Sequence, residues 1–168
     1  MSDVDSNLAM YERFLESMAP AFPAVPADDW HLRLIWIPSF RPERIHDIRS
    51  TGVGPTITLT RCLQSAWEAW SLAGSNRGIL QSVPVETATE RLPTDEPVLK
   101  LVADGVPLKL TDPGRLGCDG ESWVCRFQTR HFTIATRVWS PEGGDWLRLV
   151  EAMQHAAGRV PRRHLEQL

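Results

Sequence analysis

The sequence is short of tyrosine, cysteine, long apolar runs and positive charge, and each shortage narrows what the chain can be. Three cysteines in 168 residues, Cys62, Cys118 and Cys125, are an odd set far below the density of a disulfide-stapled secreted scaffold, which points to a reducing compartment. The opening from Met1 to Asn7 is polar and acidic, the reverse of a secretory signal's basic start and apolar core. A cytoplasmic location is therefore expected, with a periplasmic one after signal removal left open. The longest apolar run, Leu34 to Ile37, falls far short of the roughly 20 residues a membrane-spanning helix requires, so no membrane is expected as a partner. A net charge of -3 lacks the basic excess with which proteins neutralise phosphates, and nucleic acid is not an expected partner either.

Recognisable chemistry is missing too. The chain has no Gly-x-Ser-x-Gly elbow and no glycine-rich, lysine-bearing phosphate loop. Gly52-Val53-Gly54 runs into a proline and opens a strand, the wrong setting for a dinucleotide fingerprint. Cys118, Cys125 and His131 include no closely spaced cysteine pair of the kind structural zinc uses. No metal or cofactor is implied, and no catalytic residue is assigned. An enzyme with an unrecognised site around Cys118 and His131 is one alternative reading.

What remains is an ordinary globular composition, 42% hydrophobic and 23% charged, on a length suited to one domain. A chain of this size buries roughly 70% of the surface its unfolded form exposes, enough to fold without staples. Residues 1-29 read as an N-terminal helix and a proline-rich connector: Ser6 is a candidate cap, and Leu8, Tyr11, Leu15 and Met18 recur at helical spacing until Pro20. Residues 30-139 read as a sheet with an inserted helix. Trp30 to Ile37 is a strand with Leu32, Leu34 and Trp36 on one face. Glu43 to Arg49 is a second strand, and Thr56 to Thr60 alternates Ile57 and Leu59 inward with threonines outward. Gln64 to Asn76 fits either a helical turn or two or a bulged strand. Gly78 to Glu90 is β-like, with Pro84 placing part of it at an edge. Thr94, Asp95, Glu96 and Pro97 announce a helix to about Ala103.

The turn-rich stretch from Thr111 to Gly120 reads as a surface loop. Trp123, Cys125 and Phe127, then Phe132, Ile134 and Val138, describe a hairpin turning near Thr129 and Arg130. Residues 140-168 read as a closing helix, with Trp146, Leu149, Val150, Met153 and Ala157 on one face, and a basic tail. Strands joined by short turns imply antiparallel pairing. The expected fold is α+β: one antiparallel sheet of five to six strands, with an N-terminal, a short middle and a C-terminal helix packed on it, at the ends and on one face.

The strings Asp119-Gly120-Glu121-Ser122-Trp123, Arg130-His131-Phe132 and Arg137-Val138-Trp139-Ser140-Pro141 resemble a pattern in small, largely uncharacterised bacterial proteins. There the order is Asp-Gly-x-x-Trp, Tyr-His, Arg-Trp-Ser-Pro. Here His131 is followed by phenylalanine instead of preceded by tyrosine, and Val138 separates the arginine from the tryptophan. The resemblance covers the final hairpin and implies a fold element; the family carries no catalytic assignment to transfer.

Three surface features suggest a protein partner. Residues 86-121 hold eight acidic against four basic residues, a net of -4, with Glu86, Glu90, Asp95 and Glu96 at their start. Such a stretch suits a basic partner, or is simply a solvated face. Seven tryptophans against one tyrosine is an unusual balance, and Trp67 and Trp70, in the undecided segment, are candidate anchors. Arg126 and Arg137 are expected on neighbouring strands, on the face opposite Trp123, a face that could bind an anion or an acidic partner or be a solvent face with cross-strand ion pairs. The expected function is a non-catalytic protein-binding module, an inhibitor or immunity protein of a bacterial toxin or effector. An adaptor or self-assembling component, with a homodimer as one form, is the other alternative.

Overall fold

A computed structural model of the protein describes residues 3-21, 29-39, 41-74, 83-111 and 120-161. It has one six-stranded antiparallel sheet with helices at the N-terminus, in the middle and at the C-terminus, an α+β fold. In chain order the elements are α1 (Asp3–Met18), β1 (Trp30–Pro38), β2 (Arg44–Ser50), β3 (Thr56–Cys62), α2 (Ala66–Ala73), β4 (Val85–Arg91), α3 (Pro97–Ala103), α4 (Val106–Lys109), β5 (Glu121–Thr129), β6 (Thr133–Trp139) and α5 (Gly144–Ala157). The strand order is β4-β3-β2-β1-β5-β6. β1 is thus central, paired with β2 on one side and β5 on the other.

The helices do not gather on one face of the sheet. Two separate cores form, one on each side. Leu32, Leu34, Ile48, Ile57, Trp123, Cys125, Phe127 and Val138 pack with α3, α4 and α5. Ile35, Ile45, Cys62 and Val124 pack with Tyr11, Phe14 and Leu15 of α1 and with Ala66 and Trp70 of α2. This arrangement explains why five consecutive β1 residues, His31 to Ile35, are all buried. It also corrects the expectation that the β3 threonines all face outward: Ile57 is buried on one side, and Thr60 on the other.

Local signals account for most boundaries. α1 begins at Asp3, so Ser6 lies within the helix instead of capping it, and the helix stops short of Pro20 as expected. The undecided segment becomes α2 because Ser65 accepts a hydrogen bond from the Glu68 amide at 3.1 Å, an N-cap in the Ser-x-x-Glu pattern. α3 starts at Pro97, whose missing N–H costs nothing in a first turn. The hairpin turn closes between the Thr129 amide and the Phe132 carbonyl. β6 starts one residue later, so Phe132 stands exposed in the turn beside Phe127. Gly120 opens β5 at φ 140°, where a Cβ would lie 2.5 Å from Ser140 Oγ and 2.9 Å from the Trp139 ring; only glycine fits. Of the expected β stretch beginning at Gly78, residues 78-82 lie outside the described residues. So do most of the loop expected from Thr111 to Gly120 and the basic tail.

Candidate functional site

The sheet face under α1 is densely charged, and its charges are answered from within the chain. Arg33 and Arg126 are direct neighbours across β1 and β5, an arrangement that repels unless each finds a carboxylate. Arg33 grips Asp47 through two contacts, Nε to Oδ1 at 2.7 Å and Nη2 to Oδ2 at 3.0 Å, and donates to the Pro20 carbonyl at 2.6 Å. His31 Nε2 lies 2.8 Å from the same Asp47 Oδ1. Burial alone would raise the Asp47 carboxyl, but hydrogen bonds from His31 and Arg33 and the Arg33 charge hold it below its usual range. Burial lowers His31, so its ring is neutral and Nε2 carries the donated proton.

α1 answers the other two arginines. Glu16 meets Arg126 at 2.6 Å and Glu12 meets Arg137 at 3.4 Å. The sequence places Arg126 and Arg137 together on the face opposite Trp123, and the register does so as well. Each is nevertheless engaged by a carboxylate of α1 and does not stand open to an external anion.

Glu43, fully buried just before β2, organises the end of the sheet where α1 and α2 meet. It accepts hydrogen bonds from the Tyr11 hydroxyl, the Ala66 amide at 2.7 Å and the Trp67 amide at 2.8 Å. A carboxylate at a helix N-terminus satisfies amides that lack intrahelical partners and meets the positive end of the helix dipole. Burial and the nearby Glu43 charge push the Tyr11 phenol well above its ordinary value.

This clamp presents Trp67. The indole is 49% exposed and edge-on to Tyr11, with ring centroids 5.0 Å apart, whereas Trp70, one turn later, is 6% exposed and packs on Tyr11 and Phe14. Trp70 is thus core and Trp67 is surface. Leu63, 55% exposed, and Val85 flank the same end of the β3–β4 ladder, where the Leu63 amide bonds to the Pro84 carbonyl.

The acidic residues separate in the same way. Glu86 and Glu90 project from β4, an edge strand, and Asp95 is exposed in the turn before α3. Glu96 is 1% exposed and is held by His155 Nδ1 and Arg159 Nε, each at 2.6 Å, so it ties α3 to the end of α5 and has no free carboxylate for a partner. His131 sits exposed in the β5–β6 turn, its amide bonded to Thr129 Oγ1, and Cys118 lies outside the described residues. Cys125 is buried, and burial pushes its thiol up to about 12.

Sequence reasoning missed the Glu43 clamp and the Asp47 pair. Glu43 was visible only as a residue at the start of a strand, because its partners come from segments 32 and 23 residues away. Ser65 followed by Glu68 was the one available signal for the helix that carries Trp67. Compared with known protein families, with curated proteins and with solved structures, the chain matches none.

Proposed function

We propose that this chain is a non-catalytic protein-binding module, an inhibitor or immunity protein that engages a basic surface of a bacterial toxin or effector. The observation that carries this reading is Trp67: a large aromatic side chain held half in solvent on a helix start that buried Glu43 fixes in place. Anchoring residues at interfaces are enriched in tryptophan, and an anchor already rigid in the free protein loses little entropy on binding. Leu63 and Val85, exposed at the end of the β3–β4 ladder that leads into α2, add apolar surface. Glu86 and Glu90 on the β4 edge strand, with their side chains on the Arg61 face of the sheet, and Asp95 in the turn before α3 supply negative charge on the far side of that edge from Trp67, which favours a basic partner that reaches around it and speeds its approach.

The test reverses Glu86, Glu90 and Asp95 to lysine together and measures capture of the partner from the protein's own cells. Glu96 is left intact, because its reversal would place an unmatched charge in the α3–α5 contact and confound binding with folding. Lost capture with an unchanged melting temperature supports the reading; unchanged capture removes the acidic edge from it.

A further inference from the structure

The opposite face of the sheet holds a cleft of about 250 Å³ that the protein-binding reading does not use. Its floor is two cross-strand rows. Trp123, Trp36, Arg44 and Arg61 succeed one another across β5, β1, β2 and β3, and His46 and Leu59 form the next row across β2 and β3. The end of α5 roofs it with Ala157, Gly158 and Val160.

Three features of this cleft point to a ligand. Arg44 and Arg61 are direct cross-strand partners on one face, two like charges side by side, which destabilises a sheet. Arg44 lies 5.0 Å from the centre of the Trp36 ring, but Arg61 makes no ion pair among the described residues, although Glu86 is its neighbour on the other side. Third, His46 is 3% exposed, lines the cleft and leaves Nδ1 buried without a hydrogen-bond partner among the described residues. Buried polar atoms are rarely left so, because each costs its full desolvation. The aromatic wall is rigid: Glu121 accepts the indole N–H of Trp36 at 2.7 Å and of Trp123 at 2.9 Å, and the two rings stack.

We propose that this cleft binds the carboxylate of a small apolar or aromatic acid, with Arg61 and Arg44 on the carboxylate and the His46 ring as a further polar contact. Guanidinium forks match a carboxylate in two-point geometry. The apolar walls from Leu59, Ala157 and Val160 suit a hydrocarbon body. A phosphate dianion fits less well, since Glu86, Glu121 and the negative end of the α5 dipole all border the site. Burial, reinforced by Arg44, lowers His46 to about 4, so the ring is neutral at pH 7 and free to donate or accept. The carboxylate ligand would give Arg61 the counter-charge it lacks among the described residues and the His46 ring a polar neighbour.

The experiment titrates the full chain with benzoate, acetate, benzamide, inorganic phosphate and phenyl phosphate, following the indole N–H signals of Trp36 and Trp123 by two-dimensional NMR. Saturable shifts with benzoate, weaker ones with acetate and none with benzamide are expected. Arg61→Met should bind benzoate roughly tenfold to a hundredfold more weakly, the loss of one charge-assisted contact. Arg61→Lys, which keeps the charge and loses the planar fork, should fall between, and serves if the methionine variant does not fold. No saturable response to benzoate, an undiminished response in the Arg61 variants, or tighter binding of either phosphate would overturn the proposal.

Discussion

Asp47 and Arg33 meet across β2 and β1 in a two-point ion pair that is almost entirely closed to solvent, with His31 as a third member on the same carboxylate. Removing one partner from such a pair leaves the other buried and unmatched, which costs about 3 to 5 kcal/mol. Asp47→Asn should lower unfolding stability by that order in urea titrations. The double variant Arg33→Met with Asp47→Asn should recover part of the loss, because the stranded charge is gone. Equal or greater instability in the double variant would show that Arg33 stabilises the fold chiefly through contacts other than Asp47, such as its hydrogen bond to the Pro20 carbonyl.

The buried histidines make the fold sensitive to mild acid. His31 and His46 are both lowered, chiefly by burial, so each is neutral in the fold while the unfolded chain protonates near the ordinary value of 6.5. Below that pH the unfolded state binds more protons, and stability falls as pH falls, by up to ~1.4 kcal/mol per pH unit for each histidine. For His46 the loss runs down to about pH 4. Glu12 and Glu16, raised by burial against the pull of Arg137 and Arg126, act in the opposite sense and soften the decline. Asp47, held low, adds its own loss only below the usual carboxylate range. Denaturation midpoints between pH 7 and 4 should therefore fall less steeply in His46→Gln than in the wild type.

Glu43 carries three donors at once, and Glu43→Ala strands the Tyr11 hydroxyl and the first amides of α2. The expected loss is about 3 kcal/mol, in the range for a buried charged acceptor and helix cap together. Glu43→Gln, which keeps an acceptor, should lose less. Hydrogen exchange should show α2 amides opening in the alanine variant ahead of the rest of the chain; exchange spread evenly over the sheet would contradict a local clamp.

Much of the architecture could be read from the chain because the strands announce themselves by alternation. Ile57 and Leu59, or Trp123, Cys125 and Phe127, leave little choice of period. The second core could not be read that way. In β1 the residues alternating with Leu32 and Leu34 are His31 and Arg33, which look like a solvent face until Asp47 arrives from the next strand to neutralise them. Glu96 misleads for the same reason: at a helix start beside Asp95 it reads as surface charge, and only the return of α5 some sixty residues later, with His155 and Arg159, buries it. Trp67 and Trp70 are three residues apart in one short helix, so which faces solvent depends on where α1 lies. Long-range partners decide all of these, and pattern along the chain does not encode them.

A protein partner seated on Trp67 is tested most directly by affinity capture with the tagged protein from its own cells, comparing wild type with Trp67→Ala and repeating both at high salt. We predict one stoichiometric partner with a basic contact surface, lost as salt rises and weakened by at least ~2 kcal/mol in the Trp67→Ala variant while the melting temperature stays close to that of the wild type. Capture that is the same with and without the Trp67 indole would show that Trp67 is not the anchor.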